Sequence, residues 1–142
     1  MNCKPWEEIA EKIMAITFEE SFDVIVAIAN GGIIPAALLN QKLKIPVELL
    51  KLSYRDSRHK PLYDSPKLVT PICFDVMGKK ILLVEDRVKT GATLEYARLL
   101  LHEASLVKTF AVNGKADYSL FDESCFTFPW LGVKADQSVS LL

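Results

Sequence analysis

The sequence has few cysteines and histidines. Cys3, Cys73 and Cys125 are odd in number, far apart and without CxxC or Cys-His ligand spacing. That pattern argues against a disulfide framework and against a structural zinc site. We therefore expect reduced thiols and a cytoplasmic location.

An excess of charge of one sign is also lacking. The 17 basic and 18 acidic residues give a formal net charge of -1 at pH 7. No global field then draws the chain to nucleic acid or to an anionic membrane. Neither partner is expected, and any anion must be bound by a local site.

No hydrophobic run is both long and uninterrupted. Residues 24–41 carry no charge, but Asn30, Gly31, Gly32 and Pro35 interrupt them. The run therefore predicts a strand, a turn and a helix instead of a membrane span. The first residues mix acidic and basic side chains and do not resemble a signal peptide.

The 142 residues suffice for one domain with a hydrophobic core, and we expect a single domain over 1–142. Hydrophobic runs predict strands at 23–29, 46–53, 68–73, 80–85 and 107–112, with an edge strand at 124–128. Helical spacing predicts helices at 6–16, 34–43 and 92–104. The alternation predicts an α/β fold with a mainly parallel, twisted sheet flanked by helices. The polar stretch 54–66, YRDSRHKPLYDSP, predicts a long mobile loop.

The glycine-bearing turns follow two of the predicted strands. Ligands of open α/β sheets bind beyond the carboxyl ends of strands, so both turns are expected at one crevice. In VEDRVKTGATL, residues 84–94, a Thr-Gly-Ala-Thr turn opens a helix. The backbone N–H groups of 89–93 and the hydroxyls of Thr90 and Thr93 can surround a phosphate, and Gly91 permits its close approach.

Two acidic residues precede this turn. Glu85 and Asp86 can accept hydrogen bonds from ribose hydroxyls and help to hold a hydrated Mg²⁺, mostly through the ribose and water. Together with the turn they predict a sugar-phosphate site with Mg²⁺ as its cofactor. For the turn taken alone, simple helix-capping chemistry remains the alternative.

Three segments resemble the type I phosphoribosyltransferase family. ILLVEDRVKTGATL is similar to its signature for 5-phosphoribosyl 1-diphosphate, and VIVAIANGGIIPA is similar to its pyrophosphate-binding segment. FTFPW resembles the ending of the small xanthine-guanine and archaeal hypoxanthine-type members. The resemblance implies the family fold with a small or reduced hood. It also implies transfer of the phosphoribosyl group to a purine-like nucleobase, with release of pyrophosphate.

The resemblance also implies roles for individual residues. It assigns catalysis to Glu85, Asp86 and Lys89, and binding of the 5'-phosphate to Lys89, Thr90, Gly91, Ala92 and Thr93. It assigns binding of pyrophosphate to Asn30, Gly31, Gly32 and Arg87, and binding of the base to Lys115 and Phe126. Loop 54–66 resembles the family's lid, and a homodimer or homotetramer is expected because relatives commonly form them.

The chain departs from the family at several of these positions. Asn30 replaces a basic residue, and Arg87 replaces an aliphatic one, either restoring charge near the diphosphate or facing solvent. Lys89 replaces an aspartate that resembles a general base. A lysine with a pKa of about 10.4 is protonated at neutral pH and cannot accept a proton. Cys125 stands where a base-stacking tryptophan is common.

Several alternatives stay open. Lys115 is equally well an ordinary solvated lysine, and Phe126 equally well a core residue. The departures motivate a non-catalytic protein that senses 5-phosphoribosyl 1-diphosphate or a nucleotide on the same fold. An α/β interaction domain without a small ligand ranks last.

Overall fold

The computed structural model describes residues 3–53, 67–124 and 126–130. Helices and strands alternate along these residues. The helices are α1 (Trp6–Ala15), α2 (Ile33–Leu43) and α3 (Ala92–Leu100). The strands are β1 (Val24–Ala29), β2 (Val47–Ser53), β3 (Lys67–Leu68), β4 (Lys80–Arg87), β5 (Leu106–Asn113) and β6 (Tyr118–Phe121). The predicted mobile loop 54–66 and Cys125 lie outside the described residues.

The strands form one sheet in the order β3-β2-β1-β4-β5-β6. All neighbouring strands are parallel except β3, which runs antiparallel to β2 at one edge. The chain builds outward from β1 to β3 and then returns to add β4 on the other side of β1. The predicted sheet is confirmed, and the reversal places a topological switch point, where α/β sheets bind ligands, between β1 and β4.

Apolar side chains fill the space on both faces of the sheet. The core between the sheet and helices α1 and α2 includes Ile9, Ile13, Ile25, Ala27, Leu82, Val84, Phe110 and Val112. The core between the sheet and α3 includes Val24, Val26, Ile81, Leu83, Leu94, Ala97 and Leu101. Successive residues of β1 and β4 thus alternate between two cores, as expected for central parallel strands. The burial holds the ends of both strands in fixed positions.

The helices carry the sequence signals expected of them. Ile9 and Ile13, one turn apart on α1, are fully buried. Pro35 lies in the first turn of α2, where its missing N–H breaks no helical hydrogen bond. Lys44 ends α2 in a left-handed conformation, and its N–H donates to the carbonyl of Asn40. In the described part of the chain, no helix combines the length and apolar character needed to cross a bilayer.

Two predicted elements are shorter than the sequence suggests. β3 ends at Leu68 instead of residue 73, and Ile72 and Phe74 turn onto the core under α3. Helix α3 ends at Leu100 instead of residue 104. Leu101 leaves helical geometry with φ -101° and ψ 24°, which turns the chain toward β5.

The predicted edge strand at 124–128 is wrong. Phe126 and Phe128 both lie in the core, and Thr127 forms an isolated bridge with Cys3. The sixth strand is β6, which the sequence did not reveal because its four residues follow a polar turn and show no clear alternation. It pairs in parallel with β5, so its carboxyl end lies at the same edge as those of β1 and β4.

Candidate functional site

The carboxyl end of β4 carries the predicted phosphate turn. Gly91 stands immediately before α3 with φ 86°, a left-handed conformation that glycine adopts without strain. The N–H of Ala92 donates to Thr90 Oγ1 at 3.2 Å, and that of Glu95 to the carbonyl of Gly91 at 3.0 Å. Within the described residues, the N–H groups of Thr90, Gly91 and Thr93 have no protein acceptor. These donors at a helix start are suited to an anion.

The acidic pair ends β4 on the near side of this turn. Both carboxylates are partly buried. The N–H of Asp86 donates to Glu85 Oε1 at 3.0 Å, and the N–H of Arg87 donates to Asp86 Oδ1 at 2.7 Å. Burial, and then the charge of Asp86, raise the pKa of Glu85 well above its ordinary value. No lysine or arginine of the described segments forms an ion pair with either carboxylate.

This donor set fits a hydrated Mg²⁺. Mg²⁺ keeps several waters and is commonly bound by one or two carboxylates together with substrate oxygens. Glu85 and Asp86 could supply the two carboxylates, and a cation beside them would favour the charged form of Glu85, whose pKa is raised by burial. No group of three or more His, Cys, Asp or Glu side chains gathers for a metal in the described part of the chain.

The turn after β1 packs directly against β4. The peptide bond between Ala29 and Asn30 is cis. A Cβ on Gly31 would stand 2.5 Å from Asp86 Oδ1, and one on Gly32 would stand 2.3 Å from the carbonyl oxygen of Val84. A side chain at residue 32 would therefore collide with the main chain, whereas one at residue 31 would displace the Asp86 side chain. The structure brings the two predicted loops together at the switch point.

The two glycine amides of this turn are not equivalent. The N–H of Gly32 donates to the carbonyl of Ile28 at 2.8 Å, so it is already engaged. The Gly32 amide thus closes the turn, and its predicted contact with pyrophosphate stays a prediction. The side chain of Asn30 is exposed at the turn.

Arg87 does not simply face solvent, which was one of the two positions considered for it. Its guanidinium is partly buried, and Nη2 donates to the carbonyl of Phe126. Its Cζ lies 4.7 Å from the centroid of the Phe128 ring. Arg87 thus contacts residues 126–128, and its predicted place near the diphosphate stays a prediction.

Lys89 and Lys115 lie on adjacent loops. The N–H of Val88 donates to the carbonyl of Asn113 at 2.9 Å, and a Cβ on Gly114 would stand 2.4 Å from the carbonyl of Val88. The residues that follow, Lys89 and Lys115, are both exposed. Two cations therefore border the carboxyl ends of β4 and β5.

Phe126 lies in the core and is only 1% exposed. Its ring meets Phe121 and Phe128 edge-to-face, with centroids 5.3 Å and 5.2 Å away. Of the two roles that the sequence left open for Phe126, base binding and core packing, the structure shows core packing. The ring presents no free face to a base.

Sequence reasoning missed Asn113 at the end of β5. This buried residue donates from Nδ2 to the carbonyl of Glu123 at 3.2 Å, and Oδ1 accepts from the N–H of Glu123 at 3.1 Å. It ties the C-terminal segment to the site edge. The available signal was an Asn-Gly pair at the end of a predicted strand, where Gly114 adopts φ 123°.

An open parallel sheet with an acidic pair and a phosphate turn at its switch point defines a sugar-phosphate-binding α/β protein. The sequence profile described as phosphoribosyl transferase domain matches residues 4–130. The chain belongs to the type I phosphoribosyltransferase family and is most similar to its purine members. The expectation of a glycosyltransferase of this class is confirmed.

Individual relatives agree with this placement. The xanthine-guanine phosphoribosyltransferase of Idiomarina loihiensis is 26% identical over 136 residues, covering 88% of this chain and 83% of that protein. That of Chromohalobacter salexigens is 32% identical over 109 residues, covering 75% and 65%. The crystal structure of purine phosphoribosyltransferase from Pyrococcus horikoshii Ot3 superposes with a TM-score of 0.78 at 25% identity, covering 95% of this chain and 97% of that one.

Proposed function

We propose that the protein transfers the 5-phosphoribosyl group from 5-phosphoribosyl 1-diphosphate to a purine-like nucleobase and releases pyrophosphate. One observation carries the proposal. The acidic pair at the end of β4 lies between a turn with unpaired N–H groups and a glycine turn that touches Asp86. That arrangement supplies an anion site on each side of a ribose site.

Each part of the site has a task in this reaction. The N–H groups of Thr90, Gly91 and Thr93 bind the 5'-phosphate, and Gly31 approaches the diphosphate. Glu85 and Asp86 accept hydrogen bonds from the ribose hydroxyls and hold Mg²⁺ mostly through them and water. When bound, Mg²⁺ neutralises charge on the diphosphate. The carboxylates also stabilise the ribose as positive charge develops on it.

The transfer reaction can be completed without a general base at residue 89. The bond between ribose C1 and the diphosphate oxygen breaks as a base nitrogen bonds to C1. The proton of that nitrogen passes to solvent or to the departing diphosphate, because no carboxylate stands at residue 89 to accept it. The protein supplies positioning and electrostatics.

Asp86→Asn tests the role of the acidic pair. We expect pyrophosphate release to fall by about 10²-fold, the usual effect of losing one preorganised electrostatic group. Asp23→Asn is the matched control, because Asp23 Oδ2 accepts from the N–H of Lys80 at 2.9 Å at the amino ends of β1 and β4. Equal release by wild type and Asp86→Asn would overturn the assignment.

A second candidate is a sensor that binds 5-phosphoribosyl 1-diphosphate without turnover. Lys89, a cation where an acid is usual, and exposed Asn30 favour it. A sensor gains thermal stability from the diphosphate with Mg²⁺ but forms no nucleotide with any base. Appearance of nucleotide synthesis only in Lys89→Asp would favour this candidate over the enzyme.

A cytoplasmic location and a homodimer or homotetramer complete the proposal. Cys3 and Cys73 are free thiols, which fits a reducing compartment. The mass of the purified protein in solution, measured by light scattering, tests the oligomer.

A further inference from the structure

The side chain of Arg87 joins the end of β4 to residues 126–130, which we call the aromatic segment. Nη2 donates to the carbonyl of Phe126, and Cζ lies 4.7 Å from the Phe128 ring centroid. Phe128 stacks in turn on Trp130, with centroids 4.8 Å apart and an interplanar angle of 6°. A planar cation and two aromatic rings therefore form one packed group.

The aromatic segment follows a stretch that crosses the carboxyl edge of the sheet. The chain leaves β6 at Phe121, is bound to the end of β5 through Asn113 and Glu123, and reaches the end of β4 at Phe126. It therefore stands beside the loop that carries Lys89 and the phosphate turn. In the proposed reaction the acceptor base would approach the ribose from the carboxyl end of the sheet, where this segment contacts the ends of β4 and β5.

Residue 87 also contacts the ribose-binding acid. Its main-chain N–H donates to Asp86 Oδ1 at 2.7 Å. The same residue thus touches the acidic pair through its backbone and the aromatic segment through its side chain.

Stability alone does not account for this arrangement. Within the described residues, Arg87 Nε and Trp130 Nε1 are both buried without a hydrogen-bond partner. A buried donor without an acceptor destabilises a fold, and an aliphatic side chain at residue 87 would avoid that cost. The contacts of Arg87 with Asp86, Phe126 and Phe128 point instead to a role at the site.

We propose that Arg87 is a positioning residue that sets the aromatic segment against the phosphoribosyl loop and thereby shapes the acceptor side of the site. The acceptor part of this statement rests on the proposed function. The segment part rests only on the contacts above. The two are tested separately.

The first arm uses Trp130 as a reporter. The chain has two tryptophans, and Trp6→Phe leaves Trp130 as the only one. In that background, Arg87→Met should increase acrylamide quenching and shift Trp130 emission to the red, because methionine cannot donate to the Phe126 carbonyl. Arg87→Lys, which keeps a donor, should restore much of the wild-type spectrum.

Arg98→Met is the matched control. Arg98 also donates to a main-chain carbonyl, that of Val107 at 3.2 Å, and bonds Asp117 at 3.1 Å, but it does not touch the aromatic segment. Its replacement should leave Trp130 emission unchanged. Melting curves of both variants separate a local change from unfolding.

The second arm measures the reaction. Arg87→Met should raise KM for the base by about tenfold, as loss of one charge-assisted hydrogen bond allows, and should leave the Kd of 5-phosphoribosyl 1-diphosphate within about twofold. Weakened diphosphate binding instead would make Arg87 a phosphate ligand and overturn the proposal. Unchanged Trp130 quenching in Arg87→Met overturns it even if no base is a substrate.

Discussion

At the scale of single residues, the site holds two acidic side chains close together, which is electrostatically unfavourable. Glu85 and Asp86 carry adjacent, partly buried carboxylates, and the main-chain N–H of Asp86 donates to Glu85 Oε1 at 3.0 Å. Burial and mutual repulsion both favour protonation of Glu85, whereas ribose hydroxyls and Mg²⁺ favour its charged form. The pair is therefore less favourable in the free protein than in the complex, as expected of a binding site.

Glu85→Gln should stabilise the free protein at neutral pH. The folded pKa of Glu85 is raised above its unfolded value of about 4.3. Its stability contribution is then full below the unfolded pKa and is lost as pH rises through the folded pKa. Glutamine does not titrate, so the variant should gain on the order of 1 kcal/mol at neutral pH and lose that advantage near pH 4. Urea unfolding across this pH range measures the difference.

Glu95→Gln, on the exposed side of α3, is the control for this experiment. It removes the same carboxyl from a solvated position and should leave the pH profile close to that of wild type. A Glu85→Gln protein that is less stable than wild type at neutral pH would show that Glu85 is not strained in the free protein.

Gly31→Ala and Gly32→Ala should separate binding from stability. The new Cβ at residue 31 meets a side chain, Asp86, at 2.5 Å, whereas that at residue 32 meets the main-chain carbonyl of Val84 at 2.3 Å. A side chain can rotate away, but a central strand cannot. Gly31→Ala should therefore weaken diphosphate binding with little loss of stability. Gly32→Ala should cost about 1–3 kcal/mol of unfolding free energy.

Calorimetry with 5-phosphoribosyl 1-diphosphate and Mg²⁺, together with urea unfolding, measures both effects. Gly31→Ala with wild-type affinity would show that the contact with Asp86 does not control the ribose site.

At the scale of elements, the turn between β4 and α3 depends on the backbone more than on side chains. The N–H groups proposed to bind the phosphate are those that the start of a helix leaves unpaired. Their direction is set by Gly91 at φ 86°. A helix start is a common structural feature. What makes this one specific is the acidic pair held beside it by the same strand.

Gly91→Ala tests that dependence, and Gly78→Ala is its matched control. Both glycines have positive φ, 86° and 71°, and a Cβ on either would meet no atom within 4 Å. Each alanine should cost about 1 kcal/mol through backbone strain alone. Only Gly91→Ala should also weaken binding of the diphosphate substrate, because it redirects the turn's N–H groups. Equal substrate affinity in the two variants would argue against a phosphate at this turn.

At the scale of the whole molecule, the sequence revealed the sheet because β1 and β4 are buried on both faces and read as unbroken apolar runs. It also revealed that two glycine turns meet, because parallel strands end at one edge. Side-chain directions were beyond it. The direction of Arg87 depends on Phe126 and Phe128, which are distant in sequence, and β6 is too short to show a period. The long mobile loop expected at residues 54–66 stays a prediction.

We propose that the protein transfers a phosphoribosyl group at the carboxyl end of β4. The most direct measurement is pyrophosphate release by the wild-type protein with 5-phosphoribosyl 1-diphosphate, Mg²⁺ and a panel of purine and pyrimidine bases. We predict release that depends on both Mg²⁺ and a base, with a purine-type base as the best acceptor. No release with any base, together with a melting temperature that the diphosphate does not change, would contradict the claim.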